Sequence, residues 1–152
     1  DIVVNIQGDE PYINPSQIDK VGSCFENQNV QIATLAKKIV SAEVLFDPNV
    51  VKVVFGENKK AIYFSRSSIP YVRGKDLQDW INNSEFYKHI GIYAYRSNIL
   101  KSVCELKPSK LEKAESLEQL RWLENAYSIQ VELTDYESYS VDIPEDILKF
   151  KV

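Results

Sequence analysis

Ile2-Val3-Val4-Asn5-Ile6 is a near-continuous apolar run, and the polar turn Gln7-Gly8-Asp9-Glu10-Pro11 follows it at once. Runs without alternation belong to strands buried on both faces, which occur in sheets covered by helices. The segment therefore restricts the chain to folds in which a strand is enclosed by neighbours, and it ends on an acid. A strand of this kind rarely begins a protein, and Met is absent throughout. The expectation is that an N-terminal portion precedes Asp1.

The remaining pattern mixes helices and strands. Pro15–Asn27 is predicted as a helix, with Asn14 as N-cap, Pro15 at the first helical position, and Ile18, Val21, Gly22 and Phe25 on its core face. Ile32–Ile39 is predicted as a strand and Ala42–Phe46 as a short helical turn. Val50–Phe55 and Ala61–Ser65 flank the turn residues Gly56-Glu57-Asn58-Lys59-Lys60, a hairpin pattern. Gly74–Glu85 reads as a loop with one helical turn, and Phe86–Arg96 as a long aromatic-rich strand. A helix capped by Ser97 follows, then a segment opened by Pro108-Ser109, a helix over Ser116–Ala126 and a strand over Ile129–Leu133. Tyr136–Val141 reads as a loop or short strand and Pro144–Lys151 as a final helix. Strands and helices in this mixture, with one hairpin inserted, predict an α/β sheet with an antiparallel excursion.

Size and charge limit the function. The chain has 152 residues, enough for one domain around one core. A net charge of −4 offers no basic field to nucleic acid. No apolar run approaches the roughly 20 residues of a membrane helix, so no membrane partner is expected. Cys24 and Cys104 match no metal spacing and make no disulfide scaffold, which points to a reducing cytoplasm. Cys24 falls on the core face of its helix and is read as a buried or half-buried thiol.

Five segments carry side chains suited to a site. Asp9 is either a solvated turn acid or an oxygen ligand for a divalent cation, since open α/β sheets bind ligands outside the carboxyl ends of their strands. Asp142, in Val141-Asp142-Ile143-Pro144, is either the N-cap of the last helix or a second such acid. Arg66 and Arg73 are either solvated or able to grip a carboxylate bidentately. In Lys88–Arg96, alternation puts His89, Gly91, Tyr93 and Tyr95 on one face and Ile90, Ile92 and Ala94 on the other. His89, the one histidine, is read as structural or as a hydrogen-bonding wall of a site rather than as a catalyst. In the helix after Ser116, Leu117, Leu120 and Leu123 are core points, and Glu118 and Gln119 by composition are a solvated face.

Together these strings resemble the 3-deoxy-manno-octulosonate cytidylyltransferase (CMP-Kdo synthetase) family along essentially the whole chain. They are Val-Asn-Ile-Gln-Gly-Asp-Glu-Pro at 4–11, Ala-Thr-Leu-Ala at 33–36, Pro-Asn-Val-Val-Lys-Val-Val at 48–54 and Tyr-Phe-Ser-Arg at 63–66. Ile-Pro-Tyr at 69–71, His-Ile-Gly-Ile-Tyr-Ala-Tyr at 89–95, Leu-Glu-Gln-Leu-Arg at 117–121 and Val-Asp-Ile-Pro-Glu-Asp at 141–146 complete the set. The resemblance implies a Rossmann-like nucleotidyltransferase fold of the glycosyltransferase-A type, three-layered, with a mixed sheet and an antiparallel dimerisation excursion over about 50–96. Residues 1–152 would be the C-terminal portion of one nucleotidyltransferase domain.

The implied activity is transfer of CMP from CTP to the anomeric hydroxyl of Kdo, releasing pyrophosphate, for lipopolysaccharide synthesis. Magnesium is the implied cofactor, with Asp9 and Asp142 as its acids. Gln7, Arg66, Arg73, His89, Tyr93, Glu118 and Gln119 correspond to the family's sugar-acid contacts, and a cytoplasmic homodimer is implied. The family's Arg-Leu-Pro-Gly-Lys loop for the CTP phosphates is not in this sequence, and Ser140 stands where a Gly usually precedes the Val-Asp pair. Two alternatives stay open: another sugar-acid nucleotidyltransferase, such as a CMP-sialate synthetase, and a fragment that only dimerises or binds sugar acid.

Overall fold

The computed structural model describes residues 1–8 and 13–137. Asp9, Asp142 and the helix expected over 144–151 lie outside the described residues. The strands are β1 (Ile2–Asn5), β2 (Ile32–Lys38), β3 (Lys52–Phe55), β4 (Ala61–Ser65), β5 (Tyr87–Arg96) and β6 (Ile129–Leu133). The helices are α1 (Pro15–Ser23), α2 (Ala42–Phe46), α3 (Trp80–Asn83), α4 (Ser97–Cys104), α5 (Lys110–Glu115) and α6 (Gln119–Glu124).

The six strands form one mixed sheet in the order β4-β3-β5-β2-β6, with β1 also paired to β5. Only the β2–β6 pair is parallel; β5 is antiparallel to β1, β2 and β3. The long β5 organises the rest. β2 runs along one of its edges, so β1 and β3 share the other. There β1 covers Tyr93–Arg96 and β3 reaches Lys88, which leaves Ile90–Ile92 without a neighbouring strand on that edge among the described residues.

Both faces of the sheet are covered, as the alternation in β5 predicts. On one face Ile90, Ile92 and Ala94 pack with Ala33 and Leu35 of β2 against Val21 of α1 and Phe25 just beyond it. On the other, Tyr93 and Tyr95 pack with Ile32, Ile129, Val131, Leu120 and Trp122. The tip of the β3–β4 hairpin reaches the edge of β6 away from β2, where the Val131 N–H donates to the Lys59 carbonyl at 2.7 Å. A smaller cluster of Ile39, Leu45, Trp80 and Phe86 joins α2 and α3.

Local chemistry sets the helix ends. Asn14 caps α1, its side chain accepting from Ser16 N at 3.0 Å, and Gln17 completes a capping box. α1 tightens into a 3-10 turn over Cys24–Glu26, so the helical stretch ends close to Asn27. Cys24 is half-buried, and burial pushes its thiol pKa up to about 11. Ser109 and Glu112 form a second capping box at α5.

Three expectations change. Ser97 does not cap α4 but is its first residue, because the β5 ladder continues to Arg96 and the Ser97 N–H donates to the Asp1 carbonyl at 3.0 Å. Ser116 is not helical: it takes a left-handed conformation (φ 53°) that ends α5, with the Leu117 N–H returning to the Glu112 carbonyl at 3.2 Å, and α6 begins at Gln119. β1 is not enclosed on both faces among the described residues. Ile2 and Val3 are 45% and 38% exposed, and β5 is the one strand paired with it among the described residues.

Candidate functional site

The unpaired stretch of the β5 edge opens into a cavity of about 390 Å³. Asn5 and Gln7 line it from the end of β1, Val51 from the approach to β3, and Arg66 from the end of β4. His89, Gly91, Tyr93 and Tyr95 form its floor, and Ser116–Gln119 with Trp122 its wall. Six of the seven sugar-acid positions suggested by sequence therefore meet in one place: Gln7, Arg66, His89, Tyr93, Glu118 and Gln119. A second cavity of about 330 Å³ adjoins it, sharing Asn5, Tyr95, Glu118 and Trp122 and extending under Leu100, Val103 and Cys104.

Arg66 is the cationic group of the larger cavity. Its Nε donates to the Glu115 carbonyl at 2.8 Å and its Nη1 to the Pro48 carbonyl at 3.3 Å. The Glu115 carboxylate accepts from Ser65 Oγ (2.6 Å) and the Arg66 backbone N–H (2.9 Å). Beneath this, Lys52 is fully buried, and its ammonium donates to the carbonyls of Asp47 (2.8 Å), Val50 (2.6 Å) and Arg66 (2.6 Å). Burial pushes the Lys52 pKa down, although nearby Asp47 opposes the shift. Three carbonyls satisfy its three donors, so one enclosed cation ties together the loop before β3 and the end of β4. The guanidinium is thereby pre-oriented, with Nη2 making no hydrogen bond among the described residues.

His89 and Tyr93 form the polar floor. The imidazole meets the buried Phe64 ring edge-on, centroids 5.1 Å apart, and lies 5.2 Å from the Tyr93 ring. Burial pushes the His89 pKa down to about 3, so the ring is neutral at physiological pH. Its Nε2 lies 2.9 Å from Thr34 Oγ1. Tyr93 is 5% exposed and its ring meets Trp122 at 5.0 Å, nearly perpendicular. Its hydroxyl is enclosed beside the Thr34 hydroxyl, with no well-aligned hydrogen bond among the described residues, and burial holds it well above the usual tyrosine range, so it stays a phenol. An unsatisfied buried hydroxyl at a cavity floor is a group prepared for a ligand.

At the wall, Leu117 and Leu120 are buried while Gln119, 6% exposed, and Glu118, paired to Arg121, border the cavity. The composition-based reading of Glu118 and Gln119 as a solvated face gives way here. The break at Ser116 rotates α6 so that its first turn edges the opening. Arg73 is not brought in. It lies on an exposed loop whose neighbours Tyr71 and Val72 pack on Trp80 and its cluster, which holds Arg73 away from the cavity lining. Among the described residues no group of three or more His, Cys, Asp or Glu could hold a metal ion. Asp9 and Asp142 lie outside them.

Sequence reasoning missed Lys52, Thr34 and Glu115. A Lys within an apolar strand, Val51-Lys52-Val53-Val54, is a signal that could have found the first. Gly91 inside a strand could have flagged the second. Between the pairs Thr34–Tyr93 and Leu35–Ile90, Gly91 and Ile92 are extra residues on β5, a wide bulge beside Thr34. Nothing local marks Glu115.

Comparison with known proteins places this cavity in context. Residues 1–133 match the family model described as cytidylyltransferase. The chain is 54% identical to the 3-deoxy-manno-octulosonate cytidylyltransferase of Parabacteroides distasonis, covering 98% of this chain and 61% of that protein. It is 51% identical to the enzyme of the same name from Thermodesulfovibrio yellowstonii, covering 96% of this chain and 57% of that one. A solved structure of CMP:2-keto-3-deoxy-manno-octonic acid synthetase complexed with CTP superposes with a TM-score of 0.88 at 37% identity, covering 98% of this chain and 59% of that chain. A glucose-1-phosphate thymidylyltransferase from Bacillus anthracis, at TM-score 0.55 and 19% identity over 98% of this chain and 52% of that one, shares the fold alone. The chain thus spans about three-fifths of the length of the curated relatives it matches.

Proposed function

The chain belongs to the cytidylyltransferase family, and we propose that it is part of an enzyme that activates Kdo with CTP, giving CMP-Kdo and pyrophosphate. One observation carries the assignment of the sugar-acid site. Arg66 after β4, His89 and Tyr93 on β5, and Glu118 and Gln119 at the start of α6 come from three separate segments and line one cavity. The anomeric hydroxyl of Kdo attacks the α-phosphorus of CTP, a P–O bond to the sugar forms, and the bond to the pyrophosphate leaving group breaks.

The residues described divide the recognition of a sugar acid between them. Arg66, fixed through Glu115 and Lys52, presents its remaining guanidinium edge to the carboxylate. Tyr93 and Gln119 offer neutral hydrogen-bonding groups, and Glu118 accepts from hydroxyls at the rim. Trp122 and Tyr95 exclude water from one side. Magnesium would be held by Asp9 and Asp142, and Asp9 follows the cavity-lining Gln7 by two positions in the sequence. When bound, the ion would neutralise charge on the phosphates.

Further parts of the reading concern the assembly. A homodimer through residues 50–96 is favoured by Ile62 on β4 and by Tyr71 and Leu77, which are 64%, 74% and 60% exposed. A cytoplasmic place in lipopolysaccharide synthesis follows from the reaction. Among the described residues no helix is long and apolar enough to cross a membrane.

The test is pyrophosphate release with CTP, Kdo and Mg²⁺, run on this chain and on a chimera carrying the N-terminal portion of the Parabacteroides distasonis relative. Kdo-dependent release by either form supports the reading. Release with sialic acid but not Kdo would move it to the sialate branch, and no release from either form would overturn it.

A further inference from the structure

Thr34 is buried in the middle of β2, on the same face as Ile32 and Ala36, and its hydroxyl has three well-aligned partners, with the Tyr93 hydroxyl beside them. The bulge in β5 turns two carbonyls toward it. Oγ1 lies 2.8 Å from the Ile92 oxygen and 3.2 Å from the Ile90 oxygen. The third neighbour is His89 Nε2 at 2.9 Å. A hydroxyl has one hydrogen to give. Two oxygens held at 2.8 Å without a hydrogen between them repel, and 2.8 Å is the usual O–H···O distance. The Thr34 hydrogen therefore goes to Ile92, and what Oγ1 turns to the imidazole is a lone pair.

We propose that Thr34 is a positioning residue that fixes His89 as its Nε2–H tautomer, so that Nδ1 is offered as a hydrogen-bond acceptor for a ligand hydroxyl. His89 Nε2 donates to Thr34 Oγ1, and Nδ1 makes no hydrogen bond among the described residues. The ring lines the cavity and cannot tilt freely, being packed edge-on to Phe64 and against Tyr93. A neutral ring with its one hydrogen on Nε2 carries a lone pair on Nδ1. The cavity then assigns complementary tasks: Arg66 can only donate, which suits the carboxylate, whereas His89 can only accept, which suits a hydroxyl and rejects a second carboxylate or a carbonyl there. The ligand half of this inference rests on reading the cavity as a sugar-acid site. The tautomer half does not.

The experiment uses the chain labelled with 15N-histidine. His89 is the one histidine of the sequence, so its two ring nitrogens give a single set of signals. Two-bond proton–nitrogen correlation spectra separate protonated from unprotonated ring nitrogens. The expected result is one tautomer, with Nε2 protonated. T34V, which keeps the volume but removes the lone pair, should show both tautomers, and T34S should restore the first. An Nδ1–H ring in the parent chain, or a T34V spectrum identical to it, overturns the tautomer assignment whatever the substrate is. In whichever form turns over Kdo, T34V should raise the KM for Kdo by the inverse of the fraction of ring left as Nε2–H, roughly two- to threefold for a near-even mixture, with kcat unchanged. T34S should remain close to the parent. An unchanged KM alongside a mixed-tautomer spectrum would overturn the acceptor role.

Discussion

On one face of β5, Ile90, Ile92 and Ala94 close against Val21 of α1 and Phe25 of the turn that follows it, apolar side chain against apolar side chain. On the other, residues of the same strand present an imidazole, a glycine and two phenols to a cavity, the Tyr93 hydroxyl without a well-aligned partner among the described residues. The first face gains stability from burial and dispersion. The second holds polar groups that folding alone leaves incompletely satisfied, which is what a ligand can complete. Adjacent residues a single peptide apart should therefore fail in opposite ways when altered.

The largest effect is expected on the dry face. Ile92→Ala empties fully buried volume and should cost about 4 kcal/mol in urea unfolding. A loss under about 1 kcal/mol would show that this face is not tightly packed. Next comes acid sensitivity on the wet face. The His89 pKa falls from an ordinary 6.5 to about 3 in the folded chain, so the unfolded chain binds the extra proton between those values. The associated stability is complete above pH 6.5 and is lost as pH falls toward 3. The slope should be about 1 kcal/mol per pH unit steeper in the parent than in His89→Gln between pH 6 and 4. Equal slopes would place the imidazole in solvent.

Arg66→Ala should lower kcat/KM for Kdo about a hundredfold, the loss of a charge-assisted contact, as read by pyrophosphate release. The smallest effect sharpens the comparison most. Tyr93→Phe removes a hydroxyl that has no well-aligned partner among the described residues, so unfolding free energy should change by under about 0.5 kcal/mol while the KM for Kdo rises several-fold. A clear loss of stability would mean that the hydroxyl is already satisfied.

The division between the faces was legible beforehand, because side chains of a strand alternate and the run from His89 to Tyr95 keeps that period. The two extra residues of the bulge preserve it, since an even insertion does not swap the faces. Asn14 and the short helix Ala42–Phe46 were legible for the same reason: their signals are local. The tethering of Arg66 was not, because Glu115 meets it across 49 positions and Lys52 across 14. Ser116 misled because a left-handed serine leaves no trace in the apolar period that follows it. Glu118 and Gln119 could be moved from solvent to the site by family resemblance, but only the break at Ser116 explains why they edge the cavity.

Lys52 has a consequence for time as well as for geometry. Its amine is enclosed, with every donor occupied, so a reagent that acylates surface lysines within minutes can reach it only when β3 and β4 part. The rate at which that single side chain becomes modified is therefore a clock for the opening of the hairpin that carries Arg66. Slowing of that clock by a bound sugar acid would report occupancy without any chemistry at the phosphate.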